Sequence, residues 1–394
     1  MPASPIGYVT VEQLLRSQSF IQGVFSRIGA TGNVFQKFFG LDLTGPLGQA
    51  PVPPGVDVVA WDYFDNTRTI AEVRPSISGP SRPVARPVGV ANGALIRFYE
   101  ALLLEHNRIA GFRPMGKPVG TLDKNGEAYV ARQLKALLQR QMNAREFAVS
   151  RLFRNGFDIK HLGGDRQILV EAGSGQTQVR YQIPTDHTGQ LPLLSGAANI
   201  ITTKWATSSA DVIGQWHNLR QVSERESGMM VKHAFISSQP YVSLINNDKL
   251  RAAGGSAFRV WEDVQTRKME TMDKIRERGE DVVFRALPNA TFHVYDGVLN
   301  IDQDRDSSAI ADVSQFIPND RAIITPEPGE WIGQAAGQEY VTKNYGGQPE
   351  VVSGSANWTR NIIEPVSGVE LHVWAKFLPI LYVPKAVYYA TVDF

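Results

Sequence analysis

Three aspartates at alternate positions, Asp302, Asp304 and Asp306 in "DQDRDSSAIADV", have the spacing that opens a calcium loop. The loop is incomplete, because Ser307 stands where a glycine makes the turn and Val313 where a bidentate glutamate belongs. The histidines, at 106, 161, 187, 217, 233, 293 and 372, are scattered, and none has a partner three to five residues on with which to build a zinc site. The nearest approach to a phosphate loop is "GFRPMGKP", Gly111 to Pro118, where Pro118 replaces the hydroxyl that would hold magnesium. Neither GxSxG nor GxGxxG occurs. Carboxylate pairs such as Glu277 and Asp281 fall in a helical charge cluster, where solvation is the default. The sequence therefore points to no catalytic residue, cofactor or metal. One stretch keeps two readings: in "FIPNDRAIITP", residues 316–326, Asp320 with Arg321 is either a polar site or the corner before a buried strand.

The totals are those of a folded protein. The chain has 394 residues, 43% hydrophobic and 20% charged, enough for one elaborated domain or two linked ones. A formal charge of +1 removes any global electrostatic reason for tight binding to nucleic acid or an anionic membrane. With no cysteine there are no disulfides or thiolate sites. The opening "MPASPIGYVTVEQLL" does not read as a secretion signal, and "FLPILYVPKAVYYATV" is too short to span a bilayer. A soluble intracellular product is expected.

The elements follow from periodicity. Val11, Leu14, Leu15, Ile21, Val24, Phe25 and Ile28 form one helical face, an amphipathic arm tethered by the glycine- and proline-rich "GLDLTGPLGQAPVPPGVD". Residues 58–74 read as strand, and "PSISGPSRPVARPVGVANG" as a loop or hairpin tip. The return limb "ALIRFYEALLLEHNRIAGF" suits a strand or a short helix. The longest helix is expected over 121–155, with Val130, Leu134, Leu137, Leu138, Ala144, Ala148 and Leu152 on one side and Gly156 as its stop. "RQILVEAGSGQTQVRYQI" reads as a hairpin closed by Gly-Ser-Gly. Beyond it come a helix opened by Ser208 and Asp211, the strand "MMVKHAFI", a second helical patch and a charged helix around 260–281, the pattern of an α+β unit. "VELHVWAKF" alternates, with Val369, Leu371, Val373 and Ala375 facing one way.

The arginines at 68, 74, 82, 86, 97, 108 and 113 are the one local charge excess. Phosphate binding suits arginine, but a near-neutral whole and proline-rich spacing favour contact with acidic patches on a neighbouring subunit.

In this order of elements the sequence resembles the major capsid proteins of tailed bacteriophages, specifically the lambda-like major capsid protein E family. The likeness is carried by "VYDGVLNID...FIPNDRAIITPEPGEWIGQAAGQEY" and "WAKFLPILYVPKAVYYATVDF", and less specifically by "AWDYFDNTRTIAEVRPSISGPSRPVARP" and "AFISSQPYVSLINN". It implies an α+β fold of the Hong Kong 97 type: an arm over 1–55, an extended loop over 56–120, a peripheral domain over 121–209 with a spine helix, an axial domain over 210–365, and strands over 366–394 that rejoin the peripheral sheet. It settles the open stretch as a corner, with Phe316 and Pro318 anchoring it, Asn319 and Asp320 turning the chain, and Ala322 to Ile324 entering the core.

The function implied is a non-enzymatic shell subunit, in hexamers and pentamers, enclosing double-stranded DNA without sequence specificity. The partners implied are a separate scaffold protein, a portal and a decoration protein, with assembly in the host cytoplasm. Inter-subunit contacts are expected through Leu14, Ile21, Phe25, Trp61, Tyr63, Arg74, Arg82 and Arg86. Some relatives weld their shells through a loop lysine. Residues 68–111 contain no lysine, so an uncrosslinked shell is expected here. The alternatives are an encapsulin-like compartment, a hydrolase, and a carbohydrate-binding module using Trp61, Trp331 and Trp374.

Overall fold

The computed structural model describes residues 33–41, 49–52, 56–64, 89–112, 122–161, 167–191, 199–253, 281–300 apart from 283, 285 and 288, 313–337, 359–363 and 368–393. The predicted arm face of Leu14, Ile21 and Phe25, the loop arginines Arg74, Arg82 and Arg86, the three aspartates from 302 and the helix around 260–281 lie outside them, save Asp281 at that helix's end, which is a strand residue paired with His293.

In chain order the elements are α1 (Val34–Phe39), β1 (Gln49–Val52), β2 (Val58–Tyr63), β3 (Gly89–Ala94), β4 (Ile96–Glu105), α2 (His106–Ala110), α3 (Lys124–Leu152), β5 (Gly156–His161), β6 (Gln167–Glu171), β7 (Thr177–Arg180), β8 (Thr188–Gly189), α4 (Val212–Ser227), β9 (Val231–Ile236), α5 (Ser238–Ile245) and α6 (Asp248–Ala253). After them come β10 (Asp281–Val282), β11 (Thr291–Val294), β12 (Val298–Asn300), β13 (Val313–Gln315), β14 (Arg321–Pro326), β15 (Ile332–Gly337), β16 (Thr359–Ile363), β17 (Gly368–Leu381) and β18 (Tyr388–Thr391). The class is α+β.

The long helix α3 starts where the Asp123 carboxylate accepts the Gly126 amide at 2.7 Å, satisfying one orphan donor of the first turn. It stops before Gly156, whose φ of 134° no L side chain adopts readily. A Cβ there would also lie 2.0 Å from the Val179 carbonyl oxygen. Val130, Leu134, Leu137, Leu138 and Met142 pack on Phe98, Leu102 and Leu104 of β4 and on Val373 and Ala375 of β17. Each such fully buried aliphatic side chain contributes about 2 kcal/mol of transfer free energy. Val373 and Ala375 therefore face as the alternation predicts; the side chains of Val369 and Leu371 lie outside the described set.

Strand β17 organises the first sheet. Along one edge it pairs antiparallel with β4 over its first ten residues. Along the other edge β16 and β15 lie end to end, and β1 adds in parallel outside β15. The second sheet has the order β10-β11-β9-β14-β18-β8. Its strand β14 is buried on both faces: Ile323 joins the cluster of Phe35, Phe153, Phe235 and Tyr295, while Ala322 and Ile324 join that of Trp216, Leu219, Phe292 and Tyr388 beneath α4. A strand covered on both faces reads as an unbroken apolar run, which is why "AII" does not alternate. Asp320 is a turn residue, with its carbonyl accepting the Val392 amide at 2.9 Å and its carboxylate 3.3 Å from Arg321 Nε.

Three observations depart from the sequence reading. The Gly-Ser-Gly hairpin does not form: β6 and β7 both pair with β5, which lies between them. The cause is Asp158 on β5, whose Oδ2 takes the amides of Gly173 and Gly175 and draws the turn across that strand. Strand pairing also cuts across the expected domain limits, since β15 and β16 join β17 while β18 enters the other sheet. The return limb forms a strand of the β17 sheet, β4, followed by the short helix α2, which are the two readings its sequence allows. Finally, the arm expected over 1–55 to meet neighbouring copies also packs within its own subunit, because Phe35, Phe39 and Leu41 are buried in the main core.

Candidate assembly surface

The ribbon β2–β3 has two unlike faces. Opposed residues share a face, and the register sets Trp61 against Ala91 and Asp62 against Val90. Trp61 turns inward: its Nε1 donates to the Leu381 carbonyl at 3.2 Å and its ring centroid lies 6.0 Å from that of Tyr181. Gly93 lets the ribbon lie close, since a Cβ there would come within 3.0 Å of Leu378. Tyr63 shares this face and is partly buried. The outward face carries Val58 and Val90, 58% and 66% exposed, with Ala60, Asp62 and Asn92. The ribbon base is thus fixed by its own core, and its free face leaves two valines exposed beside Asp62 and Asn92. Of the predicted contact residues, Trp61 serves the subunit's interior and Tyr63 lies at its margin; the other six fall outside the described residues.

A second exposed patch lies on the β4–β17 face turned away from α3. The register places Tyr99 opposite Trp374, Ala101 opposite His372 and Leu103 opposite Glu370. Tyr99 stacks on Trp374 with centroids 5.0 Å apart, and its Oη lies 2.6 Å from His372 Nδ1. His372 Nε2 is 3.2 Å from Glu370. Burial, then the Glu370 charge, push the Tyr99 hydroxyl up, so it stays a protonated donor and is no nucleophile. Tyr99 and Leu103 remain 57% and 44% exposed.

Trp61, Trp331 and Trp374 do not share one platform. Trp61 and Trp331 are buried, and the Trp331 indole donates to the Glu327 carbonyl at 2.7 Å, so only Trp374 reaches an open face. Among the described residues no group of three metal-ligating side chains occurs. The described histidines are partnered internally: His187 lies 2.9 Å from Glu226 and stacks on Tyr388, and His233 Nδ1 lies 3.0 Å from His293 Nε2.

What periodicity misses is a set of buried charges along α3 and β5. Arg145 is fully buried with its guanidinium 4.6 Å from the Phe377 ring centroid. Arg151 pairs with Glu171 and reaches the carbonyls of Gln315 and Phe316 at 3.3 and 3.5 Å. Burial, reinforced by Arg154, lowers the Arg151 guanidinium to about 10 against the raising effect of Glu171. With Arg154, which donates to the same two carbonyls at 3.1 and 2.9 Å, it grips the entry to the "FIPND" corner. No sequence signal short of the tertiary contact marks these residues.

No protein-family model matches the chain. No curated protein matches it. Among solved structures it is similar to a phage-related protein of Bordetella bronchiseptica, at 8% identity and a TM-score of 0.49, covering 98% of each chain. It is similar also to a putative prophage capsid protein of Escherichia coli, at 12% identity and 0.49, covering 98% of this chain and 99% of that one. A virus-like particle from Pyrococcus furiosus gives 9% identity and 0.36, covering 93% and 98%.

Proposed function

We propose that this chain is the major capsid protein of a tailed bacteriophage, a structural subunit of the Hong Kong 97 type whose copies close into an icosahedral shell around double-stranded DNA. The observation that carries the reading is the ribbon β2–β3. One face is anchored in the subunit by Trp61, the other presents Val58 and Val90 to solvent, and the ribbon leads into the proline- and arginine-rich segment 65–88. An exposed face of this kind gains stability when a neighbour covers it. Tyr63, the arm face of Leu14, Ile21 and Phe25, and the arginines 74, 82 and 86 are the contacts assigned to neighbouring copies, with hexamers and pentamers as the units.

A near-neutral chain suits a wall that must not adhere to packed DNA. A separate scaffold protein, a portal and a decoration protein are the further partners, and the virion shell, assembled in the host cytoplasm, is the location. The test is velocity sedimentation with negative-stain microscopy of the chain purified alone and together with the products of its neighbouring genes. Shells in the presence of one such product are expected. A single-chain species under every combination would overturn the reading.

A further inference from the structure

Glu146 projects from α3 into the core with its carboxylate wholly enclosed. Its Oε1 accepts the Phe35 amide at 2.8 Å, and its Oε2 accepts the Gln36 amide at 3.0 Å and the Gln36 Nε2 at 3.1 Å. The Tyr295 hydroxyl is a further partner. The same Gln36 amide group reaches the Met142 carbonyl at 2.7 Å, so α1 is clasped by two successive turns of α3. Around the clasp, Phe35 packs on Phe153, Phe235 and Tyr295, and Phe39 on Trp331.

Charged groups stand apart from this carboxyl. On its own helix Arg145 lies over Phe377 and Arg151 turns to Glu171. On α1, Lys37 is exposed. From the sheet, His233 and His293 lie beneath the Phe38 ring, each 4.7 Å from its centroid, and Glu327 with Lys232 sits beyond them. Among the described residues an ionised carboxylate here is bonded by neutral donors alone, and burying a charge without a counter-ion is costly.

We propose that Glu146 is a proton-controlled clasp on α1, firm while its carboxyl is protonated and slack once it ionises, so that the hold on the chain entering at Asn33 weakens from mildly acidic to neutral solution. Burial pushes this carboxyl up to about 7, and the hydrogen bonds from Phe35, Gln36 and Tyr295 offset that only in part. A carboxyl raised on closing takes up a proton when the clasp forms. Its stabilisation is complete below about pH 4.5 and is lost as pH rises through about 7. His233 acts in the opposite sense. Burial holds it below the ordinary histidine range against the pull of Glu327, so its contribution is present above about pH 6.5 and is lost as pH falls through its lowered value. The clasp is independent of whether the chain builds a shell.

The test is hydrogen–deuterium exchange of the full chain from pH 5 to 8, corrected for intrinsic rates, with peptides of α3 as an internal reference. Protection of the Phe35 and Gln36 amides is expected to fall by up to about tenfold per pH unit. In Glu146→Gln, which cannot titrate, that slope should vanish. Should the variant not fold, an infrared pH titration of the unaltered protein reads the same group, and a buried protonated carboxyl band should fade toward neutral pH. Flat protection in the unaltered protein, an equal slope in the variant, or an absent carboxyl band at pH 5 would overturn the proposal.

Discussion

Asp158 has no solvent exposure, yet its carboxyl is held below the usual aspartate range. Burial alone would raise it, but Arg180, 2.6 Å away, and the amides of Gly175 and Gly173 together outweigh that. A carboxylate depressed by folding stabilises above its unfolded value and loses that contribution as pH falls through its folded one. Asp158→Asn should therefore lower the unfolding free energy at pH 7 by about 2 to 3 kcal/mol, with the gap to the unaltered protein closing below about pH 4. Arg151→Met removes one of the two arginines on the 315–316 carbonyls while roughly keeping volume, and should cost about 2 kcal/mol in chemical denaturation, because Arg154 still reaches Glu171 and the same carbonyls. Neither role was legible in the sequence. Asp158 acts on glycines of a turn that reads as a local hairpin, and Arg151 on carbonyls some 165 positions away. A charged residue looks solvated until the fold supplies partners at that separation.

At the level of elements, legibility followed local periodicity. The span expected at 121–155 is the helix Lys124–Leu152, because its apolar positions repeat with the helical period and Asp123 and Gly156 punctuate it. The turn-then-strand reading of "FIPNDRAIITP" held for a related reason, since Phe316 and Ile317 are buried at the corner and Ala322 to Ile324 run through the sheet. The helix α1 escaped notice: a six-residue element between glycines has no periodicity to display, and only Glu146 and Trp331 show why it forms. The ribbon divides into two predictions. Trp61→Ala should destabilise the isolated subunit by about 3 to 5 kcal/mol, as large core truncations do. The double change Val58→Ser with Val90→Ser should leave subunit stability within about 0.5 kcal/mol, because both side chains are exposed, and should instead reduce particle yield. Equal particle yield from that double variant would remove the ribbon from assembly.

For the whole molecule, the sequence made the α+β class and the order of elements readable, but not the division of strands between sheets. β15 and β16 pair with β17 while β18 joins the other sheet, because pairing across the chain leaves no mark on local pattern. With no lysine between residues 68 and 111, particles boiled in detergent should give one band at 43.5 kDa, and a ladder of multiples would show covalent linkage. The central claim is that the outward ribbon face is completed by another copy of this chain. A cryo-electron microscopy map of the purified particles tests it most directly. The account predicts closed shells in which Val58 and Val90 are covered by a neighbouring subunit; particles with that face open to solvent, or folded back onto its own subunit, would contradict it.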